Sequence, residues 1–342
     1  MAGDAKILEP TEAAINLVAD ALLRGEIVAL PTETVYGLAA IISNEDALQK
    51  IFAAKRRPSW DPLIVHVLNL SALRDLVEVE GNLFHKLRLL SEAFCPGPLT
   101  FVLKKKKNVA NVISAGKKTI AIRIPAHSVF REVLKKTGPL AAPSANPFGY
   151  ISPTCAAHVY QSLGNEISYI LDGGPCEVGL ESTILDLSVQ PLMILRPGVI
   201  TVAMIENILG EKIKPYHPLV SADPSAPGML KQHYSPRTRL RLFRKSIKEI
   251  IDNFPEYSME DIAIVYLSSK EAHASGEVEH GLKENVFWFS EEGDLHEVAR
   301  NMFAILQQLD GMQFHLICCQ IPEAEHMGIA VIDRLSRAAA KF

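Results

Sequence analysis

Pro31 closes the apolar run Ile27-Val28-Ala29-Leu30 and is followed by Thr32-Glu33-Thr34-Val35-Tyr36-Gly37-Leu38. Proline has no amide proton to give a sheet ladder, so a strand entering this segment stops at Leu30. The hydroxyls and the carboxylate that come next then stand at a strand end, where ligands sit in open α/β sheets. In isolation the same residues read first as a surface turn with ordinary strand-end polarity.

Four more segments share the texture. They are Lys55-Arg56-Arg57-Pro58-Ser59-Trp60-Asp61-Pro62 running into Leu63-Ile64-Val65-His66, Thr119-Ile120-Ala121-Ile122-Arg123-Ile124-Pro125, Ala142-Pro143-Ser144-Ala145-Asn146, and Gly179-Leu180-Glu181-Ser182-Thr183-Ile184. Each joins an apolar run to Ser, Thr, Asn, Arg or His.

Between these segments the periodicity predicts helices over 11–24, 83–94, 127–137, 154–163 and 201–209. A further helix starts at Ser43, spaced from Asp46 as in a capping box, and turns Leu48, Ile51 and Phe52 inward before Pro58. Strands are predicted at 27–30, 63–67, 99–103, 119–124, 168–172, 182–187 and 192–196. Mixed helices and strands exclude a bundle or a sandwich and indicate an α/β or α+β domain over 1–213. Residues 214–237 contain prolines at 215, 218, 224, 227 and 236 and read as a semi-extended linker. Beyond it, strands at 262–267, 286–289 and 314–321 alternate with helices at 297–309 and 329–340. That pattern predicts a small parallel-sheet, Rossmann-like domain over 238–342. It has no GxGxxG, so nucleotide binding there is unsupported.

With 342 residues, 48% of them hydrophobic, the chain has material for two real cores. No secretory pattern and no apolar run of about 20 residues is seen, so a cytoplasmic, non-membrane protein is expected. Five cysteines without CxxC spacing fit neither a zinc site nor a disulfide framework. A net charge of -4 does not suit a protein whose main task is gripping nucleic acid, and the lysines from Lys104 to Lys107 read as a solvated loop.

No Walker A sequence, GxSxG elbow or HExxH occurs. Lys55 and Arg57 can grip phosphates or merely complement a helix C-terminus. In 119–124 the alternation puts Ile120, Ile122 and Ile124 on one face and Thr119, Ala121 and Arg123 on the other. Thr119 and Arg123 are then separated by ~13 Å of strand. Arg123 serves a ligand or pairs with a buried acid. His66 lies in a run that would otherwise be core. Ser144 and Asn146 suit a turn as well as a ligand.

Taken together, the segments from Pro31 to Thr183, with Pro227-Gly228-Met229 through His233-Tyr234-Ser235-Pro236 and Ile332-Asp333-Arg334-Leu335-Ser336-Arg337-Ala338-Ala339, resemble the YrdC-like threonylcarbamoyl-AMP synthases in their long, two-domain form. The resemblance implies an N-terminal twisted-sheet domain with a concave active-site cleft. It also implies a nucleotidyltransferase reaction in which L-threonine and bicarbonate form a carbamate that attacks the α-phosphate of ATP and releases pyrophosphate. Because the nucleophile belongs to the substrate, the protein has only to position and to compensate charge.

By the same resemblance, Lys55 and Arg57 lie on the Lys-x-Arg-Pro signature and act catalytically on the phosphates. Thr34, His66, Arg123 and Ser182 take L-threonine. Lys55, Arg57, Asp61, Thr119, Ala142, Ser144, Ser152, Arg196, His233 and Tyr234 take ATP, with Mg²⁺ accompanying it and its ligands unassigned. Asp61 stands where the family usually has asparagine, and an ionised aspartate there needs Mg²⁺ or a neighbouring cation to offset it. The linker, with Met229, Lys231, Gln232, His233 and Tyr234, is expected to act as a lid over ATP. The product is expected to pass to a separate complex acting on tRNA. An RNA-binding module and a regulatory ATP hydrolase are the competing readings.

Overall fold

The computed structural model describes residues 4–214, 216, 233–251, 253–254, 256–275 and 284–340. The chain divides into two compact units. One comprises Met1–Phe148, Ser152–Glu177 and Glu181–Leu230, the other Gly149–Ile151, Val178–Leu180 and Lys231–Phe342. His233 and Ser235, read above as linker, join the second unit: the backbone amide of His233 donates to Arg337 O at 3.3 Å and that of Ser235 to Gly149 O at 2.8 Å. Most of the proline-rich linker, with Met229, Lys231 and Gln232, lies outside the described residues.

The first unit holds strands β1 (Lys6–Leu8), β2 (Val28–Leu30), β3 (Gly37–Ile41), β4 (Ile64–His66), β5 (Leu99–Lys104), β6 (Thr119–Arg123), β7 (Leu140–Ala141), β8 (Tyr169–Leu171), β9 (Thr183–Asp186) and β10 (Met193–Arg196). They make one mixed sheet in the order β1-β8-β2-β3-β7-β4-β6-β5-β9-β10. Its helices are α1 (Glu12–Leu23), α2 (Glu45–Lys55), α3 (Leu70–Arg74), α4 (Gly81–Phe94), α5 (Asn111–Ser114), α6 (Ser128–Thr137), α7 (Ala156–Leu163) and α8 (Val202–Leu209).

As Pro31 requires, β2 ends at Leu30. The sequence reading stopped there, but the chain reverses and β3 returns antiparallel, pairing Leu30 with Gly37. Residues 31–36 are therefore a tight reversal, and its shape comes from Thr32. The Thr32 Oγ1 accepts from the amides of Thr34 (3.1 Å) and Val35 (3.2 Å) and lies 2.6 Å from Val35 O. Thr32, Glu33 and Thr34 are all buried as a result.

The cap of α2 is Asn44, not Ser43: its side chain accepts from the amide of Ala47. A carboxamide caps as well as a hydroxyl, and here it stands one residue nearer the helix. At the other end Arg56 takes a left-handed conformation (φ 53°), and the amide of Arg57 turns back to Phe52 O at 2.9 Å. This reversal points Lys55 and Arg57 into the protein rather than off its surface.

Sheet alternation sorts the core. Ile120, Ile122 and Ile124 join the larger cluster with Leu48, Ile51, Phe52, Leu87 and Leu90 from α2 and α4. Ala121 faces the other way with Ile64, Val102, Ile184 and Leu195. Burying several such side chains stabilises each by about 1.5–3 kcal/mol, and it fixes which face of β6 carries Arg123.

In the second unit, β11 (Arg239–Phe243), β12 (Ile262–Ser268), β13 (Val286–Ser290) and β14 (Leu316–Gln320) form a parallel sheet in the order β11-β14-β12-β13. Strand β11 was not expected: its alternate arginines hide the pattern. Helices α9 (Lys248–Ile251), α10 (Ser269–Ala274), α11 (Leu295–Asp310) and α12 (Met327–Ala339) complete it. On α12 the fully buried Arg334 pairs with Asp333 at 2.7 Å, and Arg337 with Asp333 at 2.9 Å. No helix among the described residues is long and apolar enough to cross a membrane.

Candidate active site

Two buried guanidinium groups in the first unit organise the polar residues. The first is Arg57. Its Nε donates to Asp61 O (3.2 Å), its Nη2 to Pro62 O (2.7 Å), and Nη2 lies 2.9 Å from the Asp61 carboxylate. The cation that Asp61 needs is therefore its neighbour four residues back. Burial pushes the Asp61 carboxyl up from its ordinary value, against the pull of Arg57, Lys55, Arg196 and Lys117. Lys55, almost wholly buried at the end of α2, donates to Ser144 O and Asn146 O at 2.5 Å each. Burial, and then the charge of Arg57, hold its ammonium well below the usual lysine range. Phe148 closes the cluster, with the Arg57 guanidinium 5.9 Å from its ring.

Arg123 is the second centre. Its Nη1 donates to Thr34 Oγ1 (2.7 Å), its Nε to Gly97 O (3.2 Å), and Nη2 faces Glu33 Oε1 at 2.6 Å. A buried acid does pair with Arg123, as one of the two sequence readings required, and it is Glu33. Burial raises the Glu33 carboxyl, but Arg123 and backbone amides outweigh it, and the group stays below its ordinary value. His66 sits beside Arg123 in the parallel β4–β6 register. Burial and the Arg123 charge keep its imidazole well below the usual histidine range, hence neutral.

A further hydrogen-bonded cluster joins Thr100, Ser182 and Arg196. Thr100 of β5 lies directly opposite Arg123. Its hydroxyl meets Ser182 Oγ at 2.7 Å, and Arg196 donates from Nε to Ser182 O (3.0 Å) and from Nη2 to Ser182 Oγ (3.1 Å). The charge of Arg196 in turn acts on Asp61. Thr100 and Glu33 are the residues that the sequence reading left out. Glu33 carried one signal, a carboxylate at a strand end, and nothing joined it to a position ninety residues on.

The other expected residues fall around this frame. Thr119 is half-buried at the start of β6, opposite Lys104. Lys104 itself pairs with Glu78. Ala142 donates its amide to Ile64 O, and Ser144 bridges to Gly37 and offers its carbonyl to Lys55. Ser152, fully buried, donates to Glu181 Oε1 at 2.6 Å. His233 and Tyr234 belong to the second unit. There the Tyr234 ring packs 5.5 Å from that of Phe303 and 5.4 Å from the Arg334 guanidinium, with its backbone left-handed at φ 62°. Tyr234 is thus core as well as a candidate contact.

The family model for Sua5, YciO and YrdC proteins, described as telomere recombination, matches residues 20–198. The model described as the threonylcarbamoyl-AMP synthase C-terminal domain matches 200–340. Threonylcarbamoyl-AMP synthases of Pyrococcus abyssi and Bacillus subtilis are each 36% identical to this chain, covering 95% and 94% of it and 94% and 92% of themselves. The crystal structure of P. abyssi Sua5 complexed with L-threonine matches with a TM-score of 0.87 at 34% identity, over 98% of both chains. A His/Tyr double-alanine variant of that protein matches at 0.86 and 33%, over 98% of this chain and 96% of that one. The chain belongs to the Sua5/YrdC family, in its long, two-domain form.

Proposed function

We propose that this chain is a threonylcarbamoyl-AMP synthase that condenses L-threonine, bicarbonate and ATP and releases pyrophosphate. The observation that carries the reading is the pair of buried guanidinium centres, with the hydrogen-bonded Thr100, Ser182 and Arg196 as a third cluster, in a chain that matches such synthases along nearly its whole length. Zwitterionic threonine and bicarbonate lose one water and one proton to give the carbamate anion. A carbamate oxygen then forms the bond to the α-phosphorus as the bond to pyrophosphate breaks. Both steps place negative charge where preorganised cations stabilise it.

In this reading Arg123, Thr34, His66 and Ser182 hold threonine, its carboxylate on Arg123. Neutral His66 suits the hydroxyl, because a neutral imidazole accepts as well as donates. Lys55, Arg57 and Arg196 face the phosphates, with Asp61 fixing the plane of Arg57. Thr119, Ala142, Ser144 and Ser152 line the nucleotide. Mg²⁺ comes with ATP and relies on phosphate oxygens and water. The nearby carboxylate, Asp61, is engaged by Arg57. The mixed anhydride is consumed by a separate enzyme acting on tRNA in the cytoplasm.

Mass spectrometry after incubation with ATP, threonine and bicarbonate tests the reaction: threonylcarbamoyl-AMP and pyrophosphate in equal amounts are expected, and orthophosphate in their place overturns it. Arg123→Lys is expected to weaken threonine binding about tenfold or more by turning a bidentate clamp into a point charge, with ATP affinity little changed. A fall in ATP affinity with intact threonine binding reverses the assignment of the two centres.

A further inference from the structure

The Glu33–Arg123 pair is close and buried, and its hydrogen-bonding capacity is incompletely used. The two side chains are 7% and 5% exposed and meet at 2.6 Å, yet the Glu33 oxygens take no hydrogen bond of ordinary geometry from a described residue and are steadied instead by the charge of Arg123 and the nearby amides of Glu33 and Ala126. Arg123 Nη2 likewise makes no such bond. Buried polar atoms left in that state are rare in folded proteins and call for a cause. Opposite charges side by side, each with hydrogen-bonding capacity in hand, match the outline of an α-amino acid. Its ammonium nitrogen and carboxyl carbon are two bonds apart, about 2.5 Å.

We propose that Glu33 is a specificity-determining residue that receives the α-ammonium of threonine while Arg123 receives the carboxylate. The inference rests on the assignment of Arg123 to threonine given above. A zwitterion carries no net charge, and neither does the Glu33–Arg123 pair. Its entry keeps the buried charge balanced, whereas an anion lacking the amine leaves Glu33 facing a second negative group. Among the buried acids of this unit, Glu181 is engaged by Ser152 and Asp186 by Ser188, while Asp61, whose oxygens also lack a hydrogen bond of ordinary geometry, is paired with Arg57. Glu33 is the one in contact with Arg123. The same charge has a second effect. Once the amine has become a carbamate it is no longer positive, and Glu33 then repels it.

Isothermal titration of the full chain with L-threonine and with 3-hydroxybutanoate, the same molecule without its amine, decides the matter. In Glu33→Gln, threonine affinity is expected to fall about tenfold or more, the scale of one charge-assisted bond. The affinity for 3-hydroxybutanoate is expected to hold or rise, since the repelling charge has gone. Glu33→Asp, which keeps the charge on a shorter stem, is expected to recover part of the threonine affinity. Equal weakening of both ligands makes Glu33 a structural prop for Arg123 and overturns the proposal, as does unchanged threonine binding. Failure of the unsubstituted protein to bind threonine at all overturns the functional reading itself, a result distinct from the other two.

Discussion

The two buried arginine–carboxylate pairs of the first unit look alike and behave oppositely. Arg123–Glu33 and Arg57–Asp61 meet at 2.6 and 2.9 Å and are hidden from solvent to a similar degree. Desolvation is the largest influence on both acids and raises both. For Glu33, attraction to Arg123 and the nearby backbone amides reverses it; for Asp61, four cations do not. Charge number therefore does not decide ionisation here. How the Arg123 charge and the nearby amides sit against the buried carboxylate matters more. The Glu33 pair stabilises its ionised form, whereas the Asp61 pair holds a charge at some cost.

Removing an arginine is the strongest way to break the comparison. Arg57→Ala leaves Asp61 buried without its main cation, so the loss extends beyond ATP binding to stability, by about 3–5 kcal/mol. Denaturant unfolding of Arg57→Ala and of Arg57→Ala with Asp61→Asn checks this: the double variant should regain most of the stability and none of the ATP affinity. Equal losses in the two would show that Asp61 is neutral already.

Removing each acid is a finer test. Glu33→Gln is expected to lower stability at pH 7 by about 1–3 kcal/mol, the scale of leaving the buried Arg123 without its counter-charge. Asp61→Asn is expected to cost less, because burial already disfavours the charged carboxylate and Arg57 keeps its bonds to the carbonyls of residues 61 and 62. Thermal unfolding ranks them, and the reverse order would refute the contrast.

Acid titration of stability gives the smallest and most specific signal. The folded pKa of Glu33 lies below its ordinary 4.5, so its contribution is present above that pH and is lost as pH falls through the folded value. The folded pKa of Asp61 lies above its ordinary 3.8, so its contribution is present below that pH and is lost as pH rises through the folded value. Glu33→Gln should accordingly flatten the acid loss of stability, and Asp61→Asn should steepen it. Parallel shifts would mean that the two carboxyls ionise alike.

Much of this frame was legible in the sequence where a strict period held. Ile120, Ile122 and Ile124 gave the buried face of β6, and with it the side from which Arg123 projects. The Lys-x-Arg-Pro run marked a helix end with two cations, and the structure adds how Arg56 turns them inward. Strands β3 and β11 were missed for different reasons. The first is an antiparallel return whose glycine and alanines carry no alternation, and the second alternates arginine with leucine and phenylalanine at a sheet edge. The partner of Arg123 was out of reach: pattern on one strand says which way a side chain points, not which acid, ninety residues away, comes to meet it.

The two carbonyls held by Lys55 have a consequence for how a nucleotide is met. The stretch from Ala142 to Asn146 is fastened on one side by Leu38 and Tyr36, through Leu38 N to Pro143 O (2.7 Å) and Ala145 N to Tyr36 O (2.8 Å), and on the other by the Lys55 ammonium. It is a strip clamped along both edges. Its conformational entropy is surrendered when the chain folds, not when a ligand arrives. A nucleotide reaching this strip would find a finished surface, and the heat of its binding there would carry little of the large opposing entropy that accompanies the ordering of a loop.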